Sequence, residues 1–151
     1  MPELRFDLIG IPMILALFLF GPASGAVTCA VGALSIAFRG PPNAFLKFVA
    51  EFSTIIGVYV VLRIRGLGSL NRGRIKLLAT GSGITVRVLV MAATNLMLLP
   101  LFFSAWYTFG SVLLLSPAIA VFNVLQGVIS AFGGFIVYEA VVRRLPSLKP
   151  A

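Results

Sequence analysis

Histidine is absent from this chain, and cysteine occurs once, at Cys29. Without histidine, neither a Ser–His nucleophile nor an HExxH metal site can be built, so Ser24, Ser35 and Ser53 lack the base that would activate them. One cysteine makes no internal disulfide. Its neighbours Ala26, Ala30 and Ala33 suit a small packing residue better than a reactive thiol. Charge is scarce as well: 11% of the 151 residues are Asp, Glu, Lys or Arg, and only 4 are acidic. A soluble domain needs a polar surface, which this composition does not supply. No Walker GxxxxGK[ST] or GxSxG motif occurs, so the chain carries neither a nucleotide-driven motor nor a nucleophile elbow. The expectation is a protein that is not an enzyme and holds no cofactor or metal.

What fills the chain is apolar sequence. It is 60% hydrophobic, and mean hydropathy is +1.09. These values predict an all-α integral membrane protein, a single domain over residues 1–151. The net charge of +8 gathers at segment ends and has no interleaved aromatics, which marks topology rather than nucleic-acid binding. Lipid is the expected surrounding, and a cell membrane the expected location.

Apolar stretches and their breaks predict about five helices, near 8–20, 23–38, 43–63, 75–103 and 112–142. The first would cover only about 20 Å, has Pro12 in its first turns and is broken by Gly21-Pro22. It could pass for the apolar part of a signal peptide, but Glu3 and Asp7 dilute the basic start and no cleavage site follows, so it counts as mature structure. Gly21, Gly25, Cys29 and Ala33 then repeat every four residues, the pattern by which membrane helices approach closely. Arg39-Gly40-Pro41-Pro42 closes the second helix as a turn. Trp106 and Tyr107, in an aromatic connector, favour headgroup level. The densest basic segments are 63–76 and 143–149. Both should be cytoplasmic, placing the C-terminus inside and, with five helices, the N-terminus outside.

Polar residues inside the spans carry the functional question. Arg87 sits near the middle of the fourth apolar run, with Thr94 and Asn95 on the same helical face. Lys47, Glu51 and Thr54 share one face of the third helix. Asn123, Gln126 and Ser130 share one side of the fifth, beside a packing face of Gly127, Ala131 and Gly134. Counted at about 1.5 Å per residue from the basic ends, Glu51 and Arg87 fall at similar depths. So do Lys47 with Gln126, and Asn95 with Asn123. Three readings stay open: an outward-facing pocket with Glu51 and Arg87 paired at its floor, interhelical glue that binds nothing, or a carrier driven by titration of Glu51. A pocket is the reading for Lys47, Glu51 and Arg87, because ionisable groups inside a membrane commonly mark a path or site.

Leu4-Arg5-Phe6-Asp7-Leu8, Ile11-Pro12 and Phe18-Leu19-Phe20-Gly21-Pro22 with Gly25 together resemble the "LKYD…IP…FLFGP…G" stretch of riboflavin-type S components. These are the substrate-capturing subunits of energy-coupling-factor (ECF) vitamin transporters. Asn95 to Leu101 (NLMLLPL) resembles their fifth-helix "N…LLP" segment, and Pro117 with Phe122-Asn123 and Gln126 resembles the start of their sixth helix. The resemblance implies a six-helix fold, a vitamin substrate such as riboflavin, and partners: a membrane T component and two ATPase subunits. It implies hydrogen bonds to ligand from Asn95 and Asn123, and a site-capping external loop containing Phe6 and Asp7. Gln126 stands where riboflavin binders have lysine, Leu34-Ser35 replaces a lysine–aspartate pair, and the family's first helix has no counterpart before Leu4. The substrate-binding set expected is Asn95, Asn123, Gln126, Lys47, Glu51, Arg87, Thr94, Phe6 and Asp7.

Overall fold

The computed structural model describes residues 6–64, 72–145 and 147. Glu3, Leu4, Arg5, Arg65 and Lys149 lie outside them. The described residues form five α-helices and no strand: α1 Gly10–Phe20, α2 Pro22–Leu34, α3 Pro41–Arg63, α4 Arg72–Phe102 and α5 Phe109–Arg144. A 3-10 turn, Ala37–Arg39, precedes α3. The protein is an all-α, multi-pass membrane protein.

Helix length divides the fold in two. α3, α4 and α5 are long and apolar enough to cross a membrane. At 23 residues, α3 alone covers about 35 Å, against the roughly 30 Å of a hydrocarbon core. α1, with 11 residues, covers only about 16 Å. α1 and α2 instead form a tight antiparallel hairpin joined at Gly21, whose φ of 93° suits glycine. Gly25 lies against Met13 and Leu17, and Gly32 against Ile9. The every-fourth-residue pattern of α2 thus does what its spacing suggests, with Gly25, Cys29 and Ala33 all buried. The Cys29 thiol points at the Phe48 carbonyl, 3.7 Å away on α3.

Elsewhere the ends follow local chemistry. α2 stops at Leu34, short of the expected residue 38, where the chain tightens: the Ile36 N–H donates to the Ala33 carbonyl and a 3-10 turn follows at Ala37–Arg39. Ser35 Oγ donates to the Gly32 carbonyl at 2.7 Å, and Gly40 takes φ 123° and ψ 135° ahead of the proline. α5 starts earlier than the expected residue 112. A reciprocal Thr108–Ser111 capping box satisfies its first N–H groups.

Glycine sets the spacing of the long helices. A Cβ on Gly57 would lie 2.7 Å from Gly83 Cα, so α3 and α4 cross backbone to backbone. Gly127 lets α5 close on Ile84 and Arg87 of α4, and Gly134 lets it close on Ile14 of α1. With no hydrophobic force between helices in lipid, such contacts supply association through packing. At one end of the bundle lie Arg63, Arg143 and Arg144, together with a Lys76–Glu139 ion pair between α4 and α5. At the other end lie residues 6–9, the start of α3, the end of α4 and the start of α5.

Candidate functional site

Toward that second end, four charged side chains alternate in sign. Asp7 Oδ2 is 2.8 Å from Lys47 Nζ, Lys47 Nζ is 2.6 Å from Glu51 Oε1, and that oxygen is 3.1 Å from a terminal nitrogen of Arg87. Glu51 and Arg87 side chains are 1% and 2% exposed, Lys47 11% and Asp7 30%, so the chain runs from sealed core to accessible edge. Lys47 and Glu51 meet because four residues separate them on α3. Glu51 and Arg87 meet because the Gly57–Gly83 crossing brings α3 and α4 together just below them.

Neutral groups complete the network. Arg87 Nε donates to Asn123 Oδ1 at 3.2 Å, and its terminal nitrogen reaches Thr54 Oγ1 at 3.3 Å and the Ala50 carbonyl at 3.5 Å. Ser130 Oγ donates to Glu51 Oε2 at 3.1 Å. Asn123 spends its amide N–H on the Ile119 carbonyl, one turn back. A buried ion pair is tolerable when its remaining donors and acceptors are engaged; here Nε and one terminal nitrogen of Arg87 and both carboxylate oxygens of Glu51 have partners. Among the described residues, Thr80 Oγ1 is the buried side-chain polar atom without a partner, and it lies outside the network.

The segment before α1 closes over this arrangement. Gln126 Nε2 donates to the Asp7 carbonyl at 2.8 Å, and the Asp7 N–H donates to Gln126 Oε1 at 3.3 Å. Asp7 Oδ1 accepts from the Ile9 N–H at 3.0 Å, holding the entry to α1. The Phe6 ring lies 4.8 Å from that of Phe122, tilted by 45°. Gly10 is where α1 passes closest: a Cβ there would fall 2.0 Å from Ser130 Oγ and 2.8 Å from Glu51 Oε2. Nothing in the sequence pattern demands glycine at that position, although its place directly ahead of Ile11-Pro12 is visible there.

The structure therefore brings together Asp7, Lys47, Glu51, Arg87, Asn123 and Gln126, with Phe6 at the rim. Asn95 is buried on α4 but takes no part in the network. It lines, with Asn123, a cavity of about 20 Å³ between α4 and α5, walled by Val88, Leu96, Val112 and Ile119. That volume is of the order of one water, not of a vitamin. Thr94 is half-buried and apart from the network. Thr54, Ser130 and the Ala50 carbonyl belong to it but are absent from the expected site. For Thr54 and Ser130 the helical spacing is the available signal; a main-chain carbonyl leaves none.

No protein-family model matches the sequence, and no curated protein is similar to it. Among solved structures, the S component of a bacterial ECF transporter is similar, with a TM-score of 0.76 and 22% sequence identity over 96% of this chain and 82% of that one. The likeness is one of fold.

Proposed function

We propose that this protein is the substrate-capturing S component of an ECF-type importer. In this reading it takes a small water-soluble vitamin, riboflavin or a related compound, from outside the cell. It hands that cargo on through a T component and two ATPase subunits. The basic end, with Arg63, Arg143 and Arg144, then faces the cytoplasm, following the bias of Lys and Arg toward that side. The Asp7 end faces outward.

One observation carries the reading. In a fold shared with an S component, polar side chains of three helices and one capping segment converge in one connected network, beside a cavity flanked by Asn95 and Asn123. Ionisable groups are costly inside a membrane and are kept where they serve a path or a site. Asn95 supports the reading further, because it lines the cavity and takes no part in the network. In the closed arrangement the ligand has no room, so binding requires the Phe6–Asp7 segment to lift.

A structural role is the second reading, and the completeness of the network favours it: groups that satisfy one another need no ligand. The two readings separate experimentally. The protein would be purified in mild detergent and its co-purifying small molecules identified by mass spectrometry, then challenged with riboflavin and related vitamins in a thermal-shift assay. Capture predicts a bound compound and a raised Tm that Asn95→Leu with Asn123→Leu removes. If no compound raises Tm and the double variant is more stable than the wild type, the structural role stands instead.

A further inference from the structure

Phe6 and Asp7 present three kinds of recognition at once. An aromatic ring rests on Phe122, a main-chain N–H and C=O pair faces the complementary amide of Gln126, and a carboxylate is held by Lys47. Each part of the segment thus meets a matching chemical group.

Charge decides what replaces the segment. With Asp7 in place, Asp7, Lys47, Glu51 and Arg87 sum to zero. With Asp7 withdrawn, Lys47, Glu51 and Arg87 leave one positive charge unmatched in a region where lysine is nearly buried. Lys47 keeps Glu51 but loses one of its two carboxylate partners, which a neutral ligand cannot restore. A ligand that displaces Asp7 therefore binds more tightly when it brings a negative charge of its own to Lys47. Gln126, released from the Asp7 backbone, offers a donor and an acceptor side by side, which suits an amide or lactam edge.

Resting on the capture reading, we infer that Phe6 and Asp7 are a built-in surrogate for the ligand, and that the ligand is a small aromatic compound with an amide or lactam edge and a carboxylate. Asp7 then competes with that carboxylate for Lys47, which sets the affinity and favours anions at the site.

The test uses the whole chain in detergent, with isothermal titration of two carboxylates, orotate and hippurate, and their uncharged counterparts, uracil and hippuramide; riboflavin is the neutral control. The carboxylates are expected to bind at least about tenfold more tightly than their counterparts, and Lys47→Met to erase that preference. Asp7→Ala, which removes the competitor, is expected to lower Tm without ligand yet tighten carboxylate binding by about tenfold. Asp7→Asn, which keeps the shape of the segment, serves the same purpose should Asp7→Ala not fold. Equal binding of charged and uncharged probes, or carboxylate binding no tighter in either Asp7 variant, overturns the inference. Riboflavin bound equally well by wild type and Asp7 variants overturns it while leaving the capture reading intact. Silence from every probe and from the vitamin panel overturns both.

Discussion

Within the α3–α4 pair, two neighbouring regions hold together by opposite means. At Gly57 and Gly83 the helices touch through backbone, with the Val58 and Thr54 side chains meeting Gly83 only through their methyl groups. At Glu51 and Arg87 they touch through a fully buried ion pair. The first contact is steric and has a single solution, since packed backbones do not slide gradually. The second is ionic and exchangeable, since another charge of the right sign can take a partner's place. The fold thus has a seam fixed by size and, next to it, a junction fixed by charge. Only the latter reaches an accessible edge, through Lys47 and Asp7.

The largest effect is expected at the junction. Glu51→Leu strands the Arg87 guanidinium in the core and should cost about 3–5 kcal/mol of stability, read from thermal or denaturant unfolding in detergent. Adding Arg87→Leu should recover most of that loss, because two apolar residues can replace a buried pair. A double variant as unstable as the single one would mean that the region depends on shape and not on charge.

Gly57→Ala probes the seam. Its Cβ meets Gly83 Cα, Ser82 O and Gly83 N, none of which is the end of a flexible side chain. A loss of about 1–3 kcal/mol is expected, with no recovery from any second change at Glu51 or Arg87. Rescue by a charge-site variant would merge the two regions into one and break the contrast.

Asp7→Ala removes the exposed end of the ionic chain. Asp7 is 30% exposed, so its loss should cost no more than about 1 kcal/mol, appearing as a modest fall in Tm. The smallest effect belongs to the opposite end of the bundle. Lys76 and Glu139 are 30% and 41% exposed, and Lys76→Gln should change stability by less than about 1 kcal/mol, less still at high salt.

Much of this arrangement is legible in the amino-acid sequence. Composition alone requires a membrane, and the spacing of Lys47, Glu51 and Thr54 places them on one face. Depth counted along straight helices sets Glu51 level with Arg87, and the two are in contact. Asn95 shows where that arithmetic stops. It lies level with Asn123 and shares a cavity wall with it, yet the helix face that α4 turns toward α5 leaves its amide outside the network. Gln126 is a second case. Its level relative to Lys47 is countable, but its two hydrogen bonds go to the main chain of Asp7, 119 residues away.

The sequence by itself determined the class of the protein, the helical faces and the signs of the buried charges, because these depend on composition and on a fixed rise and turn per residue. The tertiary structure alone decided that Glu51 touches Arg87 across two helices, that Gly10 must yield space to Ser130 and Glu51, and that Asp7 ends the chain of charges at Lys47. Those outcomes depend on how closely and at what rotation helices pack. In lipid, close contact between small residues sets that geometry; spacing along one helix shows which face is small, but not which residue of another helix it meets.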